Sequence, residues 1–387
     1  MIKIIRTSTV PESLYLLLKG QLKYLSSYFD VVAISSDGEL LAKTSLREEV
    51  KVVPVEMSRG INIFKDVISL IQLYYRFRKE KPIIVHSITP KAGLLSMLAA
   101  KMAGVPIRVH TFTGLVFPSK KGILKLILIY MDKLLCWAAT NVYPEGNGVK
   151  EDLVKYLITL KPLRVLGNGN VNGINLDFFN PSLFSNLDNA NLRKSLLIDD
   201  DDFVFVFVGR LVSDKGVNEL VQAFSELNLF KTKLLLVGKE EEKLDPLHAE
   251  TKIVIDNNPN IIKLGFQNDV RPYYAISNVL VFPSYREGFP NVVIQAGAMG
   301  LPSIVTDING NNEIIKHREN GIIIPVKDKG EVLKSMKLIM EDKVLCQYLT
   351  LNARKLVSER YEQNYVWDCL LKEYKELLKI NGFNNDL

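Results

Sequence analysis

The sequence predicts an α/β protein built from two Rossmann-like, doubly wound domains. Short runs rich in β-branched and aromatic residues alternate with segments of helical periodicity, which is typical of parallel sheets covered by helices. The alternation stops in a polar segment at residues 181–202 and then begins again. With 387 residues the chain is also long for a single hydrophobic core. We therefore expect two similar domains joined by a linker.

Six strands are predicted on each side of the polar segment. In the first half they lie at residues 2–5, 31–35, 52–55, 83–87, 107–111 and 141–143. In the second half they lie at residues 203–208, 234–237, 261–264, 279–282, 303–305 and 322–324. Helical periodicity separates the first set at about 12–26, 61–79, 91–103 and 121–139. The domain limits that follow are 1–180, a linker at 181–202, a second domain at 203–363, and a last helical segment at 364–387.

Composition excludes several classes of protein. The chain is 47% hydrophobic and 24% charged, as globular proteins are. The apolar run at residues 1–5 is too short for a signal peptide, and no apolar run approaches the ~18 residues of a membrane-spanning helix. Three widely spaced cysteines, Cys136, Cys346 and Cys369, show no metal-ligand pattern and suit a reducing compartment. We therefore expect a cytoplasmic protein without a metal site.

Charge is distributed unevenly over a chain whose net charge is +6. Residues 51–150 contain 15 Lys or Arg and 5 Asp or Glu. Such an excess fits an anionic substrate or anionic lipid, and it fits equally a solvated basic surface. No nucleic-acid-binding motif accompanies the charge, so nucleic acid is not expected as a partner.

The most informative stretch of the chain is residues 281–313. A buried strand runs into a polar loop with Arg286 and Glu287, and Pro290 occupies the position of a first helical residue. The helix is expected to reach about Met299 and to stop at a left-handed Gly300. A loop and a helix N-terminus at the carboxyl edge of a parallel sheet suit a polyanion, and a carboxylate suits sugar hydroxyls. Together they indicate a site for a sugar nucleotide.

A second cluster follows the strand at residues 203–208. Gly209 allows a ligand to approach the backbone closely, and Arg210 and Lys215 supply two cations at the strand end. Two cations that neutralise a diphosphate leaving group would lower the barrier to its departure without a metal. The next strand ends in Gly238 at the same sheet edge, and the one after it is followed by Phe266.

These stretches resemble the donor site of the retaining glycosyltransferases of family 4. The family motif is Glu, seven residues, Glu; here Glu287 takes the first place and Gln295 the second. The resemblance implies that Glu287 meets the donor sugar and that Gln295 meets the ribose through its amide. The residues between them that belong to the same motif are Gly288, Phe289, Pro290 and Asn291.

The resemblance extends to the Gly-Arg…Lys-Gly motif, in which Arg210 and Lys215 would grip the donor diphosphate. It implies the GT-B architecture, with two Rossmann-like domains facing a central cleft, and a C-terminal helix (364–387) that crosses back to an acceptor-side first domain. Gly238 and Phe266 would lie near the nucleotide. The implied function is metal-independent transfer of a sugar from a UDP-sugar to a lipid-linked or polysaccharide acceptor. An N-acetylhexosamine is one of the sugars that such enzymes transfer.

The first domain contributes one catalytic candidate, His110. Many family members have a histidine two residues after a threonine and just before a glycine, near the reacting sugar; Thr113 takes that place here, before Gly114. His110 is either a catalytic residue displaced from the usual position or a packed residue of its strand. Residues 89–95 (Thr-Pro-Lys-Ala-Gly-Leu-Leu) in combination with residues 110–115 (His-Thr-Phe-Thr-Gly-Leu) resemble a subgroup that builds bacterial capsule, O-antigen and lipid-linked oligosaccharides.

Residues 115–139 have two interpretations. Lys120, Lys121, Lys125 and Lys133 interrupt strongly apolar sequence, as in a segment that lies on an anionic membrane surface. The same pattern fits a buried helix with a basic edge. The first interpretation would place the protein peripherally on the inner face of the cytoplasmic membrane.

Two alternatives to a transferase remain at this point. A UDP-N-acetylglucosamine 2-epimerase also uses two Rossmann-like domains around a UDP-sugar, and it needs no acceptor. A non-catalytic sugar-nucleotide binder is the other alternative, because Gln295 and Thr113 depart from the family pattern.

Overall fold

A computed structural model of the chain describes residues 1–58, 60, 62–227, 231–242 and 245–383. The chain divides into two compact units. The first unit contains residues 1–173 together with the C-terminal segment from Gln363, and the second contains residues 174–362. The predicted helix start at Ile61 and the last four residues of the predicted C-terminal segment lie outside the described residues.

The first unit is built on a six-stranded parallel sheet with the strand order β3-β2-β1-β4-β5-β6. Its strands are β1 (Lys3–Thr7), β2 (Asp30–Ser35), β3 (Lys51–Pro54), β4 (Ile84–Ile88), β5 (Ile107–Phe112) and β6 (Asn141–Pro144). Its helices are α1 (Gln21–Ser26), α2 (Glu39–Glu48), α3 (Ile63–Glu80), α4 (Pro90–Met102), α5 (Gly122–Ala138) and α6 (Asn147–Lys155), joined by the C-terminal helix α15 (Gln363–Ile380).

The second unit repeats this plan with the strand order β12-β11-β10-β7-β8-β9. Its strands are β7 (Phe203–Val208), β8 (Thr232–Val237), β9 (Ile261–Gly265), β10 (Val279–Phe282), β11 (Ser303–Thr306) and β12 (Gly321–Ile324). Its helices are α7 (Asn186–Ser195), α8 (Val217–Leu227), α9 (Ala249–Asn257), α10 (Arg271–Ala275), α11 (Asn291–Ala298), α12 (Asn311–Ile314), α13 (Lys329–Glu341) and α14 (Lys343–Tyr361).

The predicted fold class is confirmed, and each of the twelve predicted strands is present. The strands were recognisable because parallel strands are buried on both faces and therefore read as continuous apolar runs, of which β7 is the clearest. The helix predicted at 12–26 is wrong as a single element. A π-helical turn (Ser13–Leu17) is followed by Gly20 with φ of 82°, and α1 begins after it.

The segment predicted as a linker, residues 181–202, clusters with the second unit. It contains α7, which starts with a capping box between Ser185 and Asp188. Arg193 at the end of α7 donates hydrogen bonds to the carbonyl oxygens of Ile276 and Asp202, at 2.9 and 2.7 Å. The bond to Ile276 attaches the segment to the body of the second unit, and the bond to Asp202 joins the two ends of the segment's last part.

Helix α5 is buried along one side only, so the interpretation of residues 115–139 as a buried helix is wrong. Asp132, Leu135 and Cys136 are buried along one side of the helix. Exposed apolar side chains lie along the rest of it, at Ile123, Leu124, Leu126, Ile127, Tyr130, Leu134 and Trp137. Ile123 alone is 77% exposed. No helix in the described part of the chain is long and apolar enough to cross a membrane.

The C-terminal helix is joined to the first sheet by a buried polar network. Arg6 in β1 donates a hydrogen bond of 3.0 Å to the hydroxyl of Tyr374 in α15. The same hydroxyl lies 2.6 Å from Nδ1 of His86 in β4, and Nε2 of His86 lies 2.8 Å from the Thr111 hydroxyl. Burial lowers the pKa of His86 well below its usual value, with the Arg6 charge adding to the shift. The histidine is therefore neutral, with one ring nitrogen as a donor and the other as an acceptor. Each nitrogen can form a hydrogen bond with its hydroxyl neighbour, Tyr374 or Thr111.

Replacing Tyr374 with Phe should destabilise the first unit by about 1–3 kcal/mol, because the buried Arg6 and His86 each lose a hydrogen-bond partner. Urea unfolding of the two proteins measures the difference. Tyr348→Phe removes a hydroxyl from an exposed side chain and is the matched control. Equal stability of Tyr374→Phe and the control would show that the network does not hold α15.

Candidate active site

The second sheet contains a topological switch point between β7 and β10. The chain proceeds from β7 to β8 and β9 on one side, and from β10 to β11 and β12 on the other. Ligands of open α/β sheets bind outside the carboxyl ends of the strands at such a point, because the two loops that leave it diverge and open a crevice. The loops that leave here are residues 209–216 and residues 283–290. They contain most of the predicted donor-site residues.

Lys215 and Glu287 join these two loops. The Lys215 ammonium contacts Oε1 of Glu287 in a charged hydrogen bond, and each side chain is 15% exposed. The Ser284 hydroxyl donates a second hydrogen bond of 2.7 Å to the same carboxylate oxygen. Two of the four predicted catalytic residues are thus brought into direct contact. The pair fixes a cation and a carboxylate side by side at the switch point.

Arg210 follows Gly209 on the same loop and has a different partner. Its guanidinium lies 2.6 Å from the carboxylate of Glu241, and the Arg210 side chain is half-exposed. Sequence reasoning missed Glu241, because it lies in a polar loop after β8 with no motif around it. The contact aligns Arg210 while leaving much of the guanidinium open to solvent.

Gly209 and Gly238 end neighbouring strands, β7 and β8, and approach each other closely. A Cβ on Gly238 would lie 1.7 Å from the Gly209 carbonyl oxygen, so no larger residue fits there without displacing the backbone. Gly238 therefore has a structural role that its sequence pattern did not reveal. The close approach brings the ends of the two strands together at the ligand edge of the sheet.

The loop that carries Glu287 is held from three sides. The backbone N–H of Tyr285 donates to the Asp214 carbonyl oxygen at 2.8 Å, and Arg286 forms an ion pair of 3.1 Å with the Asp214 carboxylate. The Thr306 hydroxyl donates to the Ser284 carbonyl oxygen. Behind the loop, a Cβ on Gly310 would lie 2.4 Å from the Gly288 carbonyl oxygen. The position of Glu287 is therefore set by the backbone around it.

Helix α11 begins at Asn291, one residue later than predicted, with Pro290 as its N-cap. Gln295, on the first turns of this helix, is half-buried. Its side-chain amide makes no hydrogen bond to any described residue and is open to a ligand. Gly300 follows the helix with φ of 83°, which confirms the predicted left-handed stop.

The two predicted aromatic contacts differ in exposure. Phe266, directly after β9, is 70% exposed and presents a free ring face at the carboxyl edge of the sheet. Phe289 is buried, with its ring centroid 5.5 Å from that of Tyr361 in α14. The ring of Phe289 therefore packs in the core of the second unit and anchors the Glu287 loop.

His110 lies in the first unit and is separate from this cluster in the sequence and in its packing. Its Nδ1 is 2.8 Å from the Ser87 hydroxyl, and its ring meets Phe112 edge-on with centroids 4.5 Å apart. Burial lowers the pKa of His110 to about 3, so the ring is neutral at physiological pH. Gly93 makes room for it, since a Cβ there would lie 2.5 Å from the imidazole. These are the surroundings of a packed histidine.

The second-unit cluster has the chemistry to bind a polyhydroxylated anion. Arg210 and Lys215 supply positive charge, Glu287 accepts hydrogen bonds from hydroxyl groups, Gln295 offers an amide, and Phe266 offers a ring face for stacking. Among the described residues, no group of three or more His, Cys, Asp or Glu side chains is arranged to hold a metal ion.

Comparison with known proteins agrees with this assignment. Residues 188–356 match the family model of glycosyl transferases group 1, and residues 10–145 match that of the glycosyl transferase 4-like proteins. The capsular polysaccharide biosynthesis glycosyltransferase CapM of Staphylococcus aureus is 33% identical, over 97% of this chain and 98% of that protein. The UDP-Gal:alpha-D-GlcNAc-diphosphoundecaprenol alpha-1,3-galactosyltransferase of Escherichia coli is 31% identical, over 75% of this chain and 74% of that protein.

Solved structures share the fold across the whole chain. A glycosyltransferase from Rickettsia africae superimposes with a TM-score of 0.82, at 22% identity, over 98% of this chain and 99% of that one. Anabaena Alr3699/HepE in complex with UDP superimposes with a TM-score of 0.82, at 17% identity, over 97% of this chain and 100% of that one. With its two parallel six-stranded sheets and its full-length similarity to CapM, the chain belongs to glycosyltransferase family 4 and has the GT-B fold.

Proposed function

We propose that this glycosyltransferase moves a sugar from a UDP-sugar to a lipid-linked saccharide, with retention of configuration and without a metal ion. The observation that carries the proposal is the contact between Lys215 and Glu287 at the switch point of the second sheet. It places a group that suits a diphosphate next to a group that suits sugar hydroxyls, which is the chemistry of a nucleotide-sugar donor. Arg210, on the same loop, adds a second cation.

In this mechanism the diphosphate of the donor binds Arg210 and Lys215. Negative charge grows on the diphosphate as the glycosidic bond breaks, and two fixed cations stabilise it more in the transition state than in the ground state. Glu287 binds a hydroxyl group of the donor sugar and orients the ring. Because Glu287 already accepts hydrogen bonds from Lys215 and Ser284, it is better suited to orientation than to nucleophilic attack. The acceptor hydroxyl then enters on the face that the diphosphate leaves, and the leaving phosphate takes its proton.

The nucleotide of the donor would bind two side chains of the second unit that are open to a ligand, Gln295 and Phe266. The unbonded amide of Gln295 is available to the ribose hydroxyls, and the exposed ring of Phe266 can stack on a base. Support for uridine comes from relatives: the name of the E. coli enzyme specifies UDP-Gal, and the Anabaena protein was crystallised with UDP.

Support for a lipid-linked acceptor comes from the same comparison. The E. coli relative is named for a GlcNAc-diphosphoundecaprenol acceptor, and a relative from Campylobacter jejuni, 26% identical, is named for an N,N'-diacetylbacillosaminyl-diphospho-undecaprenol acceptor. Both acceptors carry an acetamido sugar on a polyprenyl diphosphate. We propose an acceptor of the same class, bound by the first unit. The relatives favour a transferase over the epimerase and the non-catalytic binder.

An acceptor with a polyprenyl chain requires access to a membrane surface, and the first unit has a face that suits one. The exposed apolar residues of α5 are accompanied by exposed apolar residues of α3, including Phe64 and Ile71. Helix α4 packs against both of these helices. Lys120, Lys121 and Lys125 lie at the start of α5, and Lys101 lies 4.1 Å from the exposed ring of Trp137. Apolar side chains bordered by lysines are suited to an anionic bilayer surface. We therefore propose a cytoplasmic enzyme that docks on the inner membrane face.

The function is tested by UDP release from a panel of UDP-sugars in EDTA, with and without a bacterial extract of lipid-linked sugars. We expect release from one donor, and only in the presence of the extract. Arg210→Ala should lower that rate about 10²- to 10³-fold, as expected for loss of one transition-state charge contact. Lys334→Ala, which removes an exposed lysine of the same unit, is the control. Absence of release from all donors, or release that depends on a divalent metal, would contradict the proposal.

Membrane docking is tested by sedimentation with phosphatidylglycerol and phosphatidylcholine vesicles. We expect sedimentation with the anionic vesicles only. Replacement of Lys120, Lys121 and Lys125 by Ser should weaken binding about 100-fold at low salt, at about 1 kcal/mol per lysine. The matched control replaces Lys334, Lys343 and Lys355, which are exposed on the second unit. Equal loss in both triple variants, or no sedimentation of the wild type, would exclude this face as the docking surface.

A further inference from the structure

The first sheet has its own switch point, between β1 and β4, and a cavity lies at its carboxyl edge. The chain leaves β1 towards β2 and β3, and leaves β4 towards β5 and β6. The two loops at this point are joined by Thr9 and Thr89, whose hydroxyl oxygens are 2.8 Å apart. The backbone N–H of Thr9 also donates to the Thr89 hydroxyl at 3.0 Å. Thr89 has φ of 71°, a left-handed conformation that a β-branched residue rarely adopts. Such strain is concentrated at ligand sites.

The cavity has a volume of about 320 Å³, which is within the range of small-ligand sites. Its wall combines apolar side chains with a few polar groups. Representative residues of the wall are Leu94, Phe112, Leu128, Thr9, Thr89 and Asp132. A wall of this composition suits a ligand that has both C–H faces and hydroxyl groups.

Asp132 is the least expected residue of this wall. It projects from α5 and is 9% exposed, and it makes no hydrogen bond or ion pair with any residue in the described part of the chain. Burial raises the pKa of Asp132 to about 7. A buried carboxyl group without a partner costs stability, and a chain that retains one commonly uses it.

Lys91, another residue of the wall, does not compensate Asp132. Its ammonium forms an ion pair with Asp66 at 2.7 Å and donates to the Gly60 carbonyl oxygen. The Lys91 ammonium is therefore hydrogen-bonded to oxygen atoms of the protein and makes no contact with the Asp132 carboxyl group. The Asp132 carboxyl group and the Ser13 hydroxyl both line the cavity and make no side-chain hydrogen bond to a described residue, so a neutral polyhydroxylated ligand fits it better than an anion does.

We propose that this cavity binds the terminal sugar ring of the acceptor, with the Asp132 carboxyl group hydrogen-bonded to a hydroxyl or acetamido group of that ring. Leu94, Phe112 and Leu128 contact the apolar C–H faces of the ring. The proposal rests on the glycosyltransferase function proposed above and assigns its acceptor subsite. A polyprenyl chain is a poorer occupant, because it would bury the Asp132 carboxyl without any hydrogen bond.

Asp132 acts here in recognition and not in bond breaking. Its loss should therefore raise the KM for the acceptor and leave the donor site in the second unit unchanged. Asp132→Leu removes all hydrogen bonding and keeps the branched shape of the side chain, whereas Asp132→Asn keeps the hydrogen bonding. Leu128→Trp fills the cavity without altering the carboxyl group. The three variants separate recognition by Asp132 from occupation of the cavity.

The first measurement is saturation-transfer NMR with methyl N-acetyl-α-D-glucosaminide as the probe. Wild type and Asp132→Asn should show transfer to the probe, and Asp132→Leu and Leu128→Trp should lose it. Wild type that shows no transfer overturns the proposal, and so does transfer that survives in both Asp132→Leu and Leu128→Trp. Since this readout needs no turnover, it tests the cavity even if the enzyme releases no UDP, which is the outcome that would instead contradict the proposed function.

The second measurement is steady-state kinetics with N-acetylglucosaminyl diphosphate bearing a short alkyl chain. Asp132→Leu should raise the acceptor KM about 10- to 100-fold, the range that follows from one lost hydrogen bond to a charged group. Asp132→Asn should recover most of this loss, and the affinity for UDP should stay constant. A fall in kcat with an unchanged acceptor KM would overturn the assignment to acceptor recognition.

Thermal unfolding tests whether the variants are folded. Because the pKa of Asp132 is raised in the folded state, its cost to stability is absent near pH 4 and complete above pH 7. Two other titratable groups face Asp132: the Lys91 ammonium, which lines the same cavity, and the Cys136 thiol, which lies on the same helix. Asp132→Leu should therefore have a higher Tm than wild type at pH 8 and a similar Tm at pH 4. A lower Tm at pH 8 would show that Asp132 has a stabilising partner, which contradicts the proposal.

Discussion

The pairing of non-consecutive strands, β1 with β4 and β7 with β10, is the constraint on which both sites depend. The loops that follow the two paired strands run to opposite sides of the sheet. A crevice therefore forms between these loops at the carboxyl ends of the strands. In the second unit the crevice holds Lys215 and Glu287, and in the first it holds Thr9 and Thr89. The same backbone arrangement thus provides an ion-paired site in one unit and, in the other, a mostly apolar cavity with one unpartnered carboxyl group. That difference matches the chemistry of a nucleotide-sugar donor and a sugar acceptor.

The pair formed by Lys215 and Glu287 also joins the two loops at the switch point of the second sheet. Each side chain is 15% exposed, so separating them would leave two partly desolvated charges without partners. Ser284 and the backbone around Asp214 restrict the pair further. Charged groups that are fixed before the substrate arrives need little reorganisation when charge develops on the leaving group, and such preorganisation is the main source of electrostatic catalysis.

The sequence was sufficient to predict the twelve strands and the polar loops that follow β7 and β10, because buried parallel strands and Gly-rich strand ends have strong local signatures. It did not predict the partners of the charged residues. Glu241 pairs with Arg210 from a loop 31 residues away, and no local pattern marks such a contact. No sequence pattern singled out Asp132, and its burial became visible only with the packing of α5. The sequence left open whether α5 is exposed, since apolar residues on nearly all faces of a helix suggest burial while the lysines among them suggest a membrane surface.

The central claim is that Lys215 and its partner Glu287 form a metal-independent site for the donor diphosphate. Titration calorimetry of UDP in EDTA tests it most directly, with wild type, Lys215→Ala and the control Lys334→Ala. The account predicts binding of one UDP per chain without metal, and affinity reduced about 10- to 100-fold in Lys215→Ala alone, since a charged hydrogen bond is lost and Glu287 is left unpaired near the phosphates. UDP binding that is equally strong in Lys215→Ala, or that occurs only with added magnesium, would contradict it.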